Sequence, residues 1–181
     1  MSEPPRPSSF FAAQSERLCA AARRGPVVDL ACGRGRHTLA AAEIGARAVG
    51  IDRSRAFLDE LGTAARARGL ALDRVQADLE AAHGIPLAPG SCGAILVFRF
   101  LHRPLADALA GALVPGGLLL YETFTIHQRE LGHGPRNPAF LLAKGELREL
   151  FRGLEVLDYW EGVTDDPQPQ ALARLAAQRR A

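Results

Sequence analysis

The feature that most constrains this chain is a short apolar run, Val27-Val28-Asp29-Leu30-Ala31, that passes through Cys32-Gly33-Arg34-Gly35 straight into a helical stretch from Arg36 to Ile44. A brief run with β-branched residues reads as a strand covered on both faces. Gly33 allows a positive φ, and both glycines leave out a Cβ where something else must approach the backbone. Strand, glycine turn and helix in that order open a βαβ unit.

The alternation then continues. Ser9 is placed to cap a helix reaching about Arg24, and Gly25-Pro26 stops it. Ala46 to Ile51 reads as a second strand ending at Asp52, Ser54 caps a helix to about Arg68, and Leu72 to Ala77 is a third strand ending at Asp78. After a loop rich in Pro and Gly, residues 84–93, Ala94 to Phe98 is the most continuous apolar run and so a central strand. Leu105 to Leu113 is helical, and Val114-Pro115-Gly116-Gly117 is a tight turn that launches a strand from Leu118 to Phe124. Residues 125–142 are irregular and polar, a candidate lid; Lys144 to Arg152 is helical, Glu155 to Trp160 a strand, and Ala171 to Gln178 a last strand despite its alanines. Alternating β and α elements imply a parallel sheet with helices on both faces, whose ligands sit outside the carboxyl ends of the strands.

At 181 residues the chain has the length of one domain, spanning 1–181, with the Pro-rich residues 1–8 expected to form a mobile tail. Its 22 basic and 20 acidic residues give a net charge of +2, so no overall field draws it to nucleic acid or to an anionic membrane. Cys19, Cys32 and Cys92 form no disulfide framework and no metal-binding pair, which points to the reduced cytoplasm. No apolar run is long enough to span a bilayer, and the start of the chain lacks the pattern of a secretion signal.

The candidate chemistry falls at the strand ends. Asp52 lies roughly 20 residues after Gly33, the spacing at which a carboxylate accepts hydrogen bonds from both hydroxyls of an adenosine ribose. Asp78 is placed to accept from an adenine amino group. The plainer alternatives are that Asp52 only starts the turn into the next helix, that Asp78 only caps the segment after it, and that the glycines serve a tight connection. Thr38 stands where a dinucleotide fingerprint has its third glycine, and Asp29 sits inside the strand, so a pyrophosphate site is disfavoured.

VVDLACGRGRHTL, AVGIDRS, QADLE and LVPGGLLLYETF together resemble the class I S-adenosylmethionine-dependent methyltransferases, and the CGRGRH stretch is similar to the small bacterial tellurite-resistance-type members. The resemblance covers nearly the whole chain. It implies a Rossmann-like sheet of seven strands, mostly parallel, with the last antiparallel. It also implies that Asp29, Ala31, Gly33 and Gly35 line the methionine and ribose side, that Asp52 takes the ribose diol, and that Arg53 or Ser54 flanks the adenine. Asp78 and Leu79 would hold the adenine, and Phe98 to Phe100 would face the methyl group. Gly93 departs from the pattern, since the family often has an aspartate there, and the Asn-Pro-Pro-aromatic sequence of amino-group nucleic-acid methyltransferases is absent.

A sulfonium methyl is already activated, so positioning supplies much of the rate. Thiolates and chalcogen oxyanions need no base, whereas a hydroxyl or protonated amine does. Arg99 and His102 are the candidates for drawing in the acceptor or taking its proton, and Glu122 at the end of the fifth strand is the third catalytic candidate; a histidine that merely opens a helix is the plainer reading of His102. His102, His127 and His133 lack a carboxylate or cysteine at ligand spacing, so no metal is expected. The leading expectation is methylation of a small molecule by a monomer or homodimer. RNA or protein modification, helped by a local arginine patch, and a non-catalytic adenosylmethionine-binding regulatory subunit are the alternatives.

Overall fold

The structure is a computed structural model and describes residues 6–82, 84–165 and 168–180. Among them seven strands form one sheet: β1 (Val27–Leu30), β2 (Ala48–Asp52), β3 (Asp73–Gln76), β4 (Cys92–Phe98), β5 (Leu113–Phe124), β6 (Glu155–Thr164) and β7 (Gln170–Gln178). The helices are α1 (Ser9–Ala13), α2 (Ser15–Ala22), α3 (Arg36–Glu43), α4 (Arg55–Ala67), α5 (Ala106–Ala112) and α6 (Glu146–Leu150).

The strand order is β3-β2-β1-β4-β5-β7-β6, with β7 antiparallel to both neighbours and the other pairings parallel. The chain runs outward from β1 through β2 to β3, then returns to the other side of β1 as β4. That reversal opens a crevice beyond the carboxyl ends of β1 and β4. All residues of β1 and β4 are buried, as strands covered on both faces require.

The pleat sorts the core into two layers. Val28, Leu30, Ile95, Val97, Leu119 and Tyr121 meet Leu109 of α5 and Leu147 of α6. Val27, Leu96, Phe98, Leu118 and Leu120 meet Phe10, Phe11, Leu18 and Ala41 on the opposite face. Among the described residues no helix is long and apolar enough to cross a membrane.

Several boundaries differ from the expected ones for local reasons. The first helix is broken at Gln14, and its cap is Ser8 rather than Ser9: the Ser8 hydroxyl accepts from the Phe11 amide. Of the expected tail, residues 1–5 lie outside the described residues, whereas Ser8 is engaged in this cap. A 3-10 turn at Arg103–Leu105 precedes α5, because Pro104 fits the first turn of a helix. β5 begins at Leu113 because Leu113 pairs with Cys92 before the register shifts across the Pro-Gly-Gly turn, where Gly116 takes a φ of 75°. β6 continues past Trp160 to Thr164 because β7 pairs with it along its whole length. The alanines of β7 suit a strand held between two others with both faces covered, so tertiary pairing overrides their helical preference.

Gly93 has a packing reason. A Cβ there would stand 2.4 Å from the Ala21 carbonyl oxygen and 2.5 Å from that of Gly25, backbone atoms that cannot turn aside. Gly93→Ala is expected to cost about 1–3 kcal/mol in denaturant unfolding, while Gly111→Ala, in α5 with open space around it, leaves stability unchanged or raises it.

Candidate active site

The turn after β1 carries its two glycines for different purposes. Gly33 has a φ of 55° and nothing within 4 Å of the place a Cβ would occupy. Gly35, with a φ of 78°, makes room for the buried Leu61 side chain, 2.4 Å from its missing Cβ, and so lets α3 start against α4. The backbone is also left-handed at Ala31 (φ 52°) and Arg99 (φ 62°), directly after β1 and β4. For non-glycine residues that conformation costs about 1–2 kcal/mol each.

The Asp52 carboxylate ties two loops together. One oxygen accepts the Gly33 amide at 2.8 Å and the other the Ser54 amide at 2.8 Å. The turn-starting role is therefore real, yet each carboxylate oxygen keeps capacity for a second donor, and Asp52 lines a cavity of about 500 Å³. Arg53, Asp78 and Leu79 line the same cavity; Asp78 also accepts the Glu80 amide at 3.0 Å, the capping role foreseen for it.

A second cavity of about 310 Å³ adjoins the first, sharing Ala31 and Arg99 in its walls. It is lined by Asp29, Gly33, Gly35, Arg36, His37 and Phe98 among others. Asp29 accepts the Thr38 hydroxyl at 2.6 Å, and burial lifts its pKa from the ordinary 3.8 to about 7. A cationic group beside it would favour the carboxylate and offset that burial. The Cys32 thiol is pushed up by burial and is a packing group.

The catalytic candidates separate. Arg99 lines both cavities and stacks on the Phe124 ring, 4.8 Å from its centroid. Glu122 does not reach either cavity: it is fully buried between Arg99 (3.3 Å) and Arg174 (2.7 Å), so it positions Arg99 instead of meeting an acceptor. His102, half-buried at the cap of the 3-10 turn, also lines neither cavity. Arg103 is occupied in structure, donating to the Ala139 and Leu141 carbonyls at 2.9 Å each and pairing with Glu146. It thereby fastens the far end of 125–142, while the buried Gln128 fastens the near end by accepting from the Ala171 amide and donating to the His133 carbonyl, both at 2.9 Å. The segment forms a wall that supplies Pro135 and Phe140 to the larger cavity.

His37 is a site residue that sequence reasoning passed over. It stacks on Phe98 at 3.8 Å between centroids, and its Nε2 accepts the Ser8 amide at 3.1 Å. Burial and the nearby charges of Arg36 and Arg99 hold its pKa down at about 2, so the ring is neutral and serves as a rigid wall. Its place in the first turn of the helix after the glycine turn was the available signal.

Residues 27–117 match the family described as methyltransferase domain. The chain is 33% identical over 94 residues to the ribosomal protein L11 methyltransferase of Thermus thermophilus, a match covering 52% of this chain and 36% of the relative. Among solved structures it resembles TehB from Haemophilus influenzae, with a TM-score of 0.71, 22% identity, and 92% of this chain and 62% of that one covered. It likewise resembles an S-adenosylmethionine dependent methyltransferase from Mesorhizobium loti, with a TM-score of 0.69, 21% identity, and 92% and 98% covered. The chain thus spans about a third of the curated relative and under two thirds of the TehB chain.

Raising the Asp29 pKa means that the folded protein keeps a proton which the unfolded chain loses between about pH 4 and 7. The Asp29 contribution to stability is fully present below that window and is lost as pH rises to 7. Asp29→Asn is expected to flatten this decline, so that its melting temperature gains on the wild type at pH 8 but not at pH 4, by roughly 2–4 °C per kcal/mol recovered.

Proposed function

The chain belongs to the methyltransferase domain family, and from that premise we propose that it transfers the methyl group of S-adenosylmethionine to a small-molecule acceptor in the crevice beyond β1 and β4. The cofactor is S-adenosylmethionine. The observation that carries the reading is the pair of adjoining cavities that meet at Ala31 and Arg99, one with the buried carboxylate of Asp29 and the other with that of Asp52. These donor sets fit the two ends of the cofactor, a cationic amino acid and a nucleoside.

Asp29 offers its carboxylate to the ammonium and Arg36 its guanidinium to the carboxylate of the methionyl end, with Gly33 leaving the backbone open to approach. Asp52 takes the ribose hydroxyls, and Arg53, Asp78 and Leu79 flank the base. When bound, the cofactor supplies an electrophilic methyl on a sulfonium centre whose bonding pair departs to sulfur. The protein's part is positioning and exclusion of water. Arg99 stands at the junction where an acceptor must lie, held in place by Glu122 and by the hydrogen bond that its backbone N–H donates to the Glu122 carbonyl at 2.8 Å. The near-neutral charge and the wall of 125–142 support a small acceptor, for example a thiol or a chalcogen oxyanion, in the cytoplasm. Modification of a protein is the second reading, favoured by the likeness to a ribosomal protein methyltransferase.

Calorimetric titration with S-adenosylmethionine, S-adenosylhomocysteine and NAD tests the reading. The first two are expected to bind in the micromolar range and NAD not at all. Affinity should rise as pH passes from 6 to 8, because the ammonium needs Asp29 as an anion. Asp52→Ala should abolish binding and Asp52→Asn weaken it, each checked for folding by its melt. Folded wild-type protein that binds neither adenosyl compound would sink the proposal, and binding without turnover on any acceptor would favour a regulatory subunit.

A further inference from the structure

Besides Asp52, Arg53 and Asp78, the larger cavity is lined by an apolar set, Phe100, Leu101, Phe124, Pro135 and Phe140, and Arg99 lies over the Phe124 ring within it. Phe140 is 47% exposed, and its segment is held at the rim by the Asn137 side chain capping the Ala139 amide and by Arg103 on the flanking carbonyls. An apolar ring kept half in water by two fastenings is ready to be covered by something flat.

Arg99 is short of negative charge. Glu122 is shared with Arg174, so two guanidiniums face one carboxylate in a largely buried cluster. The Arg99 Nη1 is buried without a hydrogen-bond acceptor, and Glu122 Oε1, 3.3 Å from the Nη2 of the same guanidinium, is buried without a hydrogen-bond donor, so the ion pair leaves both groups incompletely bonded. Burial works against its charge, Glu122 supports it, and Arg36 and Arg174 oppose it again. A buried cation with incomplete pairing is costly, and an anion brought to it recovers part of that cost.

We infer that the acceptor is an organic anion with a planar apolar body, its anionic group, such as a carboxylate, turned to Arg99 and its body lying against Phe100, Phe124 and Phe140. The inference rests on the methyl-transfer reading of the site. A neutral apolar molecule would cover the rings and leave the Arg99 Nη1 without an acceptor. Of the small acceptors that reading allows, a hydrated chalcogen oxyanion is the one this surface disfavours: it would pair with Arg99 but lose its water against aromatic walls that gain nothing from it. An amine cation would be repelled.

The test is calorimetry on the full chain saturated with S-adenosylhomocysteine, using benzoate and 3-phenylpropanoate as probes against their matched amides and against selenite. The carboxylates are expected to bind roughly 10- to 100-fold more tightly than the amides and more tightly than selenite. Arg99→Gln should erase the preference for carboxylate over amide. Because that substitution leaves Glu122 with one partner fewer and can cost folding, Phe140→Ala at the exposed rim is the second variant. It should weaken both carboxylates by about fivefold without restoring selenite. Wild-type protein that binds S-adenosylhomocysteine but shows no carboxylate preference, or that takes selenite best, overturns the inference and leaves the methyl-transfer reading standing. Wild-type protein that fails to bind S-adenosylhomocysteine defeats that reading, and the inference with it.

Discussion

Much of this structure hangs on one carboxylate. Asp52 closes β2 and accepts the amide of Gly33 from the turn after β1 as well as that of Ser54 on its own loop. Two turns that follow neighbouring parallel strands are thereby locked at one separation. Charge-assisted bonds to backbone amides are about twice as strong as neutral ones, and this pair fixes the start of α4 and the path of the glycine turn together. The same group is the one offered to a nucleoside, so the bracing of the fold and the recognition of the ligand use one side chain.

A second brace acts on the other side of β1. Glu122 on β5 draws in Arg174 from the antiparallel β7 and Arg99 from the end of β4, so three neighbouring strands of the sheet converge on one buried charge. Arg99 accepts a left-handed backbone to get there. Strain of that kind persists only where surroundings over-determine it, and here the surroundings are an ion pair, a backbone hydrogen bond to the neighbouring strand and an aromatic face. The outcome is a cation held at the junction of two cavities.

How legible this was depends on the range of the signal. Patterns local in sequence read well: the β1 run, the Gly33 turn, the Ser54 cap and the carboxylates that end β2 and follow β3 all lie where the chain itself announces them. The parallel sheet with helices on both faces followed from the alternation of elements, and the count of seven strands with an antiparallel last one came with the family resemblance. What could not be read were the pairings between distant residues. Glu122 at a strand end signals a site in sequence, but its burial comes from Arg174, whose partner is set only by β7 lying beside β5. His37 was passed over because its role depends on Phe98 stacking from another strand. The break at Gln14 was hidden because its side chain reaches Asp158 on β6, a bond of 2.7 Å that no helical pattern reveals.

Gly33 and Gly35 are two residues apart in one motif, and yet they answer to different masters. The space at Gly35 is claimed by Leu61 from within the core, whereas the space at Gly33 is claimed by nothing in the protein. Both carry the positive φ that glycine tolerates, so folding constrains each, and the open volume at Gly33 adds a demand from binding that Gly35 does not carry. Descendants of such a chain that lost their chemistry but kept their architecture would be released from one of two constraints at the first glycine and from none at the second, so that residues tolerant of a left-handed backbone, asparagine above all, would enter at the first.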